Sequence, residues 1–258
     1  RGQGGSERML ANPLKGHVGA FPEYDRDLDV FMRGTVIPAL PPPYIGLGHS
    51  LGGHILLRSA QDEASPFARM VLTAPMLEIN RAMLGTSGRM ARVYAEAASL
   101  GFSSAFVHGG RETPTDLLPL EANEMASDRV RWARNKAVVD AAPDLGLGSP
   151  TVGWLRAALR SCAMLQRRDY PKYVAVPMLL FAAGADRTVS SQAIEDFAVD
   201  VKIGSHIIVP ASRHEILQES DDIRTYFLAA FDAGVDHDAK SAIRAWPATV
   251  FGGEPRRQ

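Results

Sequence analysis

"YIGLGHSLGGHIL", residues 44–56, is the stretch on which both the fold and the chemistry turn. Ser50 stands between Gly48 and Gly52, with His49 and Leu51 as its immediate neighbours. By itself a G-x-S-x-G match is weak, since average Gly and Ser usage places one in roughly one chain in ten of this length. Context raises its value, because a nucleophilic serine of this kind sits on a strained turn from a strand into a helix. "YIGLG" (44–48) is short and apolar and reads as a buried strand, and "GHILLRSAQDE" (53–63) reads as a helix. The glycines leave room where larger side chains would clash with the neighbouring strand and helix. Gly53 eases close packing of the helix start. The same turn would aim the backbone N–H of Leu51, at a helix N-terminus, towards a developing oxyanion. The competing reading is a tight glycine turn with a surface serine.

Outward from this motif the chain alternates. "EYDRDLDVFMRGTVIPAL" (23–40) has Tyr24, Leu28, Phe31 and Met32 at helical spacing, and Pro41, Pro42 and Pro43 stop it. "ARMVLTAP" (68–75), "VPMLLFAAG" (176–184) and "SHIIVPAS" (205–212) read as strands, and "SSQAIEDFAVDV" (190–201) and "DDIRTYFLAAF" (221–231) as helices. Strands alternating with helices predict an α/β fold, a mostly parallel sheet with helices on both faces. Residues 79–172 break the rhythm. "RMARVYAEAAS" (89–99), "EANEMASDRVRWARNKAVVDAA" (121–142) and "TVGWLRAALRSCAMLQRR" (151–168) all read as helices, a natural place for a cap or lid. The expected organisation is a core of residues 1–78 and 173–235, a helical cap at 79–172 and a polar tail at 236–258.

A general base and an acid are needed because a serine hydroxyl is a weak nucleophile at neutral pH. On such a fold they follow the serine in the order acid, then histidine, each on a loop after a late strand. Asp186 lies just past 176–184 and His214 just past 205–212. Both would reach the carboxyl edge of the sheet beside Ser50. Histidine takes and returns the proton, and a buried carboxylate fixes its tautomer. Glu195 and Asp196 fall on the face of the following helix, and Asp200 at its end. Glu215 is next to His214 and cannot easily face its ring. The other histidines lie too early, in the turn or helix, or in the tail.

The bulk properties exclude several classes. The chain has 258 residues, a net charge of −1 and 22% charged residues, so no nucleic-acid surface is indicated. No apolar run approaches the roughly 18 residues of a membrane span. Cys162 is the single cysteine, which fits a reducing compartment and suits a buried small apolar residue. No metal-ligand spacing and no phosphate-cradling loop are present, so neither metal nor cofactor is expected. "RVRWARNK" (129–136) reads either as a solvated helix face or as a contact for anionic lipid head groups.

"GHSLGG", "AGADRTVSSQAIEDFA" and "ASRHEILQESDDIR" together resemble the α/β-hydrolase superfamily, in its lysophospholipase and monoacylglycerol-lipase branch of the serine aminopeptidase S33 type. The opening "RGQGGSERMLANPLKGHVGAFPEYDRDLDVF" is similar to the loop and helix ahead of the nucleophile strand in bacterial lysophospholipase L2-like proteins. The resemblance implies Ser50 as nucleophile, Asp186 as acid, His214 as base and 79–172 as the cap that shapes an acyl pocket. It implies monoacyl lipid or shorter ester substrates. It implies a cytoplasmic location, with peripheral contact at the inner membrane allowed. Members carry about sixty or more residues, two strand–helix units, ahead of this point. The second oxyanion donor is therefore expected upstream of Arg1, and loss of one donor typically costs about a hundred- to a thousandfold in turnover.

Three functions follow from these expectations: a monoacyl-lipid hydrolase, a short-chain carboxylesterase, and a non-catalytic binding module on the same scaffold. A peptidase fits less well, as does a dehalogenase, which would carry aspartate where this chain has Ser50.

Overall fold

A computed structural model describes residues 1–62 and 64–234. The tail expected at 236–258 lies outside the described residues. Among the described residues, four strands form one parallel sheet in the order β1 (Tyr44–His49), β2 (Phe67–Thr73), β3 (Met178–Ala183) and β4 (Gly204–Val209). Side chains alternate across this sheet, and two apolar clusters form on its faces. Met70, Leu72, Met178, Leu180 and Ala182 enter one cluster, while Val71, Leu179, Phe181, Ala183 and Val209 enter the other. Every residue of β3 is buried, as a central parallel strand requires.

The helices complete the layers. α1 (Pro22–Phe31) precedes the sheet, α3 (Leu51–Ser59) joins β1 to β2, α8 (Ser191–Asp200) joins β3 to β4, and α9 (Asp221–Gly234) follows β4. α9 places Phe227 against Phe181, with ring centroids 4.8 Å apart. Ser190 caps α8 by accepting a hydrogen bond from the Ala193 N–H.

The helix expected at 23–40 is not uniform. α1 passes through a wide π-type turn at Met32–Val36 into the single turn α2 (Ile37–Ala39). Pro38 has no N–H to return to the Gly34 carbonyl, and the ladder widens there, with the Ile37 N–H reaching Met32 O.

Between β2 and β3 the chain forms α4 (Arg81–Leu84), α5 (Gly88–Phe102), α6 (Arg129–Ala141) and α7 (Val152–Leu165), with short 3-10 turns between them. Among the described residues this segment contributes only isolated β-bridges, Ile79 with Val189, Phe106 with Thr151 and Pro150 with Gly16. Ala91 and Ala95 of α5 and Leu155, Ala158 and Leu159 of α7 join the same apolar cluster as the sheet.

Two expectations are corrected here. Residues 121–128 are not helical beyond a 3-10 turn at Leu120–Ala122. Asn123 accepts from the Met125 N–H, and Asp128 accepts from the Arg131 N–H as the cap of α6. These short polar side chains bond the local backbone and hold it out of helix. β1 is also not a buried strand. Among the described residues it pairs with β2 alone, and Leu47 is 50% exposed. An apolar groove of about 790 Å³ runs along this edge, lined by Leu28, Phe31, Met32, Leu47 and Ile55 and reaching Gly48, His49 and Gly52.

Candidate active site

Ser50 sits where β1 ends and α3 begins, with φ 49° and ψ −113°. This left-handed conformation is rare for a residue with a side chain, and the surrounding bonds hold it in place. The Ser50 N–H donates to Thr73 O at 3.0 Å, and Ser50 O accepts from His54 N at 2.9 Å and Met76 N at 3.1 Å. A Cβ on Gly48 would lie 2.8 Å from Gly53 N, and one on Gly53 would lie 3.0 Å from Pro75 Cβ. The turn therefore requires glycine at Gly48, where the obstacle is backbone, and is tightly packed at Gly53. Gly52 differs from the expectation: nothing lies within 4 Å of a Cβ built there, because it faces the groove at the open edge. Leu51 is the first residue of α3, so its N–H belongs to the helix turn that has no intrahelical acceptor.

Asp186 follows β3 and its side chain is fully buried. Oδ1 accepts the backbone N–H groups of Thr188 at 2.7 Å and Val189 at 3.0 Å. Oδ2 faces His214 Nδ1 at 2.7 Å. His214 follows β4, is 3% exposed, and places Nε2 2.8 Å from Ser50 Oγ. The bond directions follow from the donor inventory. With ionised Asp186 only accepting, Nδ1 carries the proton. In neutral His214 the free Nε2 then accepts the Ser50 O–H. Residues 50, 186 and 214 thus meet at the carboxyl edge of the sheet in one hydrogen-bonded line.

Three further residues lie around this line: His49, expected as part of the nucleophile turn, and Asn80 and Glu219, which were not singled out in the sequence. His49 packs against His214 with the rings tilted by 55° and centroids 4.7 Å apart, and its Nδ1 lies 3.1 Å from Thr73 O. Burial, and then the adjacent His214, push its pKa down to about 4, so it stays neutral beside His214. Asn80 caps α4 by accepting from Ala82 N, and its amide donates to Asp186 O at 3.2 Å. Its position ahead of "RAML" is a helix-start signal, although the link to Asp186 spans 106 residues. Glu219 is fully buried and accepts the backbone N–H of Arg213, the residue before His214, at 2.8 Å.

Within the segment expected as the cap, the apolar side chains divide between core and surface. Leu155 and Leu159 are core, while Met83, Met90, Tyr94, Leu100 and Phe102 stand exposed. Cys162 is buried and its thiol is pushed up to about 12 by burial. Arg131 pairs with Asp128 and Asp221, and Lys136 with Asp140.

The family model for "Serine aminopeptidase, S33" hydrolases matches residues 1–221. The chain belongs to the serine aminopeptidase S33 family. The sequence is 30% identical to lysophospholipase L2 of Escherichia coli K12 over 95% of this chain and 73% of that protein. A soluble variant of the Saccharomyces cerevisiae monoglyceride lipase, solved with a substrate analogue, superposes with TM-score 0.66 at 16% identity, over 90% of this chain and 74% of that one. The carboxyl esterase of Bacillus coagulans, solved with glycerol, gives TM-score 0.66 at 16% identity, over 91% and 78%. This S33 family member therefore has the α/β-hydrolase fold. Among its described residues no helix is long and apolar enough to cross a membrane.

Proposed function

We propose that the chain is a serine ester hydrolase that cleaves monoacyl lipids, lysophospholipid or monoacylglycerol, through an acyl-enzyme. The observation that carries this reading is the unbroken bond line from Asp186 through His214 to Ser50, at 2.7 and 2.8 Å, on a strained strand-to-helix turn. Ser50 Oγ attacks the ester carbonyl as His214 Nε2 takes its proton. His214 then protonates the leaving alcohol, and later activates the water that releases the acyl group. Asp186 stabilises the imidazolium, and the Leu51 N–H donates to the oxyanion. No metal or cofactor is required for these steps. The monoacyl-lipid class draws support from the lysophospholipase relative and from a fold shared with a monoglyceride lipase.

The segment 79–172 acts as the cap in this reading. A peripheral contact with an anionic lipid surface fits its α4–α5 face, where Met83, Met90, Val93 and Tyr94 are exposed alongside Arg81, Arg89 and Arg92. Apolar side chains flanked by cations suit the boundary between head groups and acyl chains. We place the protein in the cytoplasm, in keeping with its single buried thiol.

A panel of lysophospholipids, monoacylglycerols and short nitrophenyl esters tests the substrate class. Turnover of the monoacyl lipids with higher kcat/KM than the short esters is the expected result. Turnover confined to the short esters would replace the reading with a carboxylesterase.

A further inference from the structure

The loop that carries His214 is laced to the segment between β2 and β3. Arg213 donates through its guanidinium to the backbone carbonyls of Asn123 and Ala126. The Glu215 N–H donates to Met125 O at 2.7 Å. Both neighbours of His214 are therefore bonded to residues 123–126. A 3-10 turn at Ile216–Gln218 then brings Glu219 back beneath residue 213.

Glu219 closes this arrangement. It is fully buried, and a buried carboxyl is costly unless donors surround it. Oε1 accepts the Arg213 N–H at 2.8 Å. Oε2 accepts the Ser127 N–H at 3.1 Å and the Ser127 hydroxyl at 2.5 Å. One carboxylate thus joins the peptide just before the histidine to the segment just before α6. Its hydrogen bonds run to these two residues, so any influence on the reaction passes through the position of His214.

We propose that Glu219 is a positioning residue that couples the Ser127 segment to His214, so that the Ser50–His214 bond forms only when residues 123–127 are docked. The inference rests on the reading of His214 as the general base. The cap would then report its own closure to the base through Glu219.

The test uses the full-length protein, a soluble nitrophenyl butyrate assay, and Glu219→Gln and Ser127→Ala in native and His214→Ala backgrounds. Glutamine keeps the shape but offers an N–H₂ where two donors already point. Small misplacement of a catalytic group costs up to about a hundredfold. Glu219→Gln is expected to lower kcat by about thirtyfold with KM within about twofold, and Ser127→Ala to lower kcat by about fivefold. The double variant should be no slower than Glu219→Gln alone. In the His214→Ala background neither change should lower the residual rate further. An equal loss in that background, or unchanged kcat in both single variants, overturns the proposal. If Glu219→Gln fails to fold, Ser127→Ala decides alone, since it removes one hydroxyl near the surface.

A second readout does not depend on turnover. The low-field proton NMR signal of His214 Nδ1–H, assigned by its absence in His214→Ala, should shift or broaden in Ser127→Ala. An unchanged signal overturns the coupling even if the ester-hydrolase reading itself fails. An inactive, unlabelled native protein with a shifted signal would sink only that functional reading.

Discussion

Two buried histidines in this molecule make the same kind of bond to a serine and yet differ in what they can do. His214 lies between Asp186 Oδ2 at 2.7 Å and Ser50 Oγ at 2.8 Å. His54 lies between Met76 O at 2.6 Å and Ser161 Oγ at 2.7 Å. Because a carbonyl only accepts, His54 Nδ1 holds the proton and its Nε2 accepts from the Ser161 hydroxyl. Arg58 donates to the same Ser161 oxygen at 2.8 Å and is itself held by Asp25. Burial, and the nearby Arg58 charge, push the His54 pKa down to about 4. His54 Nδ1 bonds a carbonyl where His214 bonds a carboxylate, with the Asp25 carboxylate acting only from beyond Arg58, and Ser161 sits inside α7 rather than on a strained turn. The lesson is that a serine–histidine bond is not enough. The carboxylate, the left-handed backbone at Ser50 and the helix N-terminus after it separate a candidate reaction centre from a structural joint. Met76 touches both, since its N–H donates to Ser50 O and its C=O accepts from His54.

Substitutions that treat the two centres alike should break the likeness. Ser50→Ala should lower kcat by about a millionfold, as removal of a triad serine does, measured on a short nitrophenyl ester. Asp186→Asn should cost about ten-thousandfold at an unchanged fold, because it favours the wrong tautomer of His214. Ser161→Ala should leave kcat within about twofold. It should instead lower stability by about 1–3 kcal/mol in denaturant unfolding, since His54 Nε2 and the Arg58 guanidinium each lose a buried partner.

The same contrast sets a pH dependence. His54 is protonated more readily in the unfolded chain, at the ordinary value of 6.5, than in the fold, at about 4. Above pH 6.5 both states hold it neutral and it adds no pH dependence. Between 6.5 and 4 the unfolded state binds the extra proton, and stability falls with falling pH by up to about 3 kcal/mol. Replacing His54 by Gln should flatten that part of a stability-against-pH curve, even though the variant starts from lower stability. An equally steep curve in His54→Gln would place the acid sensitivity elsewhere.

The smallest effect is expected at Cys162, which donates weakly to Met76 O at 3.5 Å. With its thiol raised to about 12, alkylation in the native state should be negligible and should become fast only on unfolding.

The three side chains that meet at the sheet edge were legible because each has a local signature: a motif for Ser50, and a strand end followed by a loop for Asp186 and His214. The continuous apolar run of "VPMLLFAAG" and the helix-like "SSQAIEDFAVDV" likewise survive in β3 and α8. What escaped depends on partners far along the chain. Glu219 meets Ser127 across 92 residues, and Asn80 meets Asp186 across 106. Nor does an apolar pattern say whether a strand has one neighbour or two, which is why β1 read as buried while Leu47 is half exposed. Residues 121–128 misled because helix-compatible composition hides polar side chains that bond their own backbone.

Active-site labelling with a fluorophosphonate probe, followed by mass mapping of the modified peptide, tests the assignment of the two centres most directly. The label should fall on Ser50, vanish in Ser50→Ala, and remain at the native rate in folded Ser161→Ala. A label that persists in Ser50→Ala, or that maps to Ser161, would contradict the assignment of Ser50, Asp186 and His214 as the reacting group.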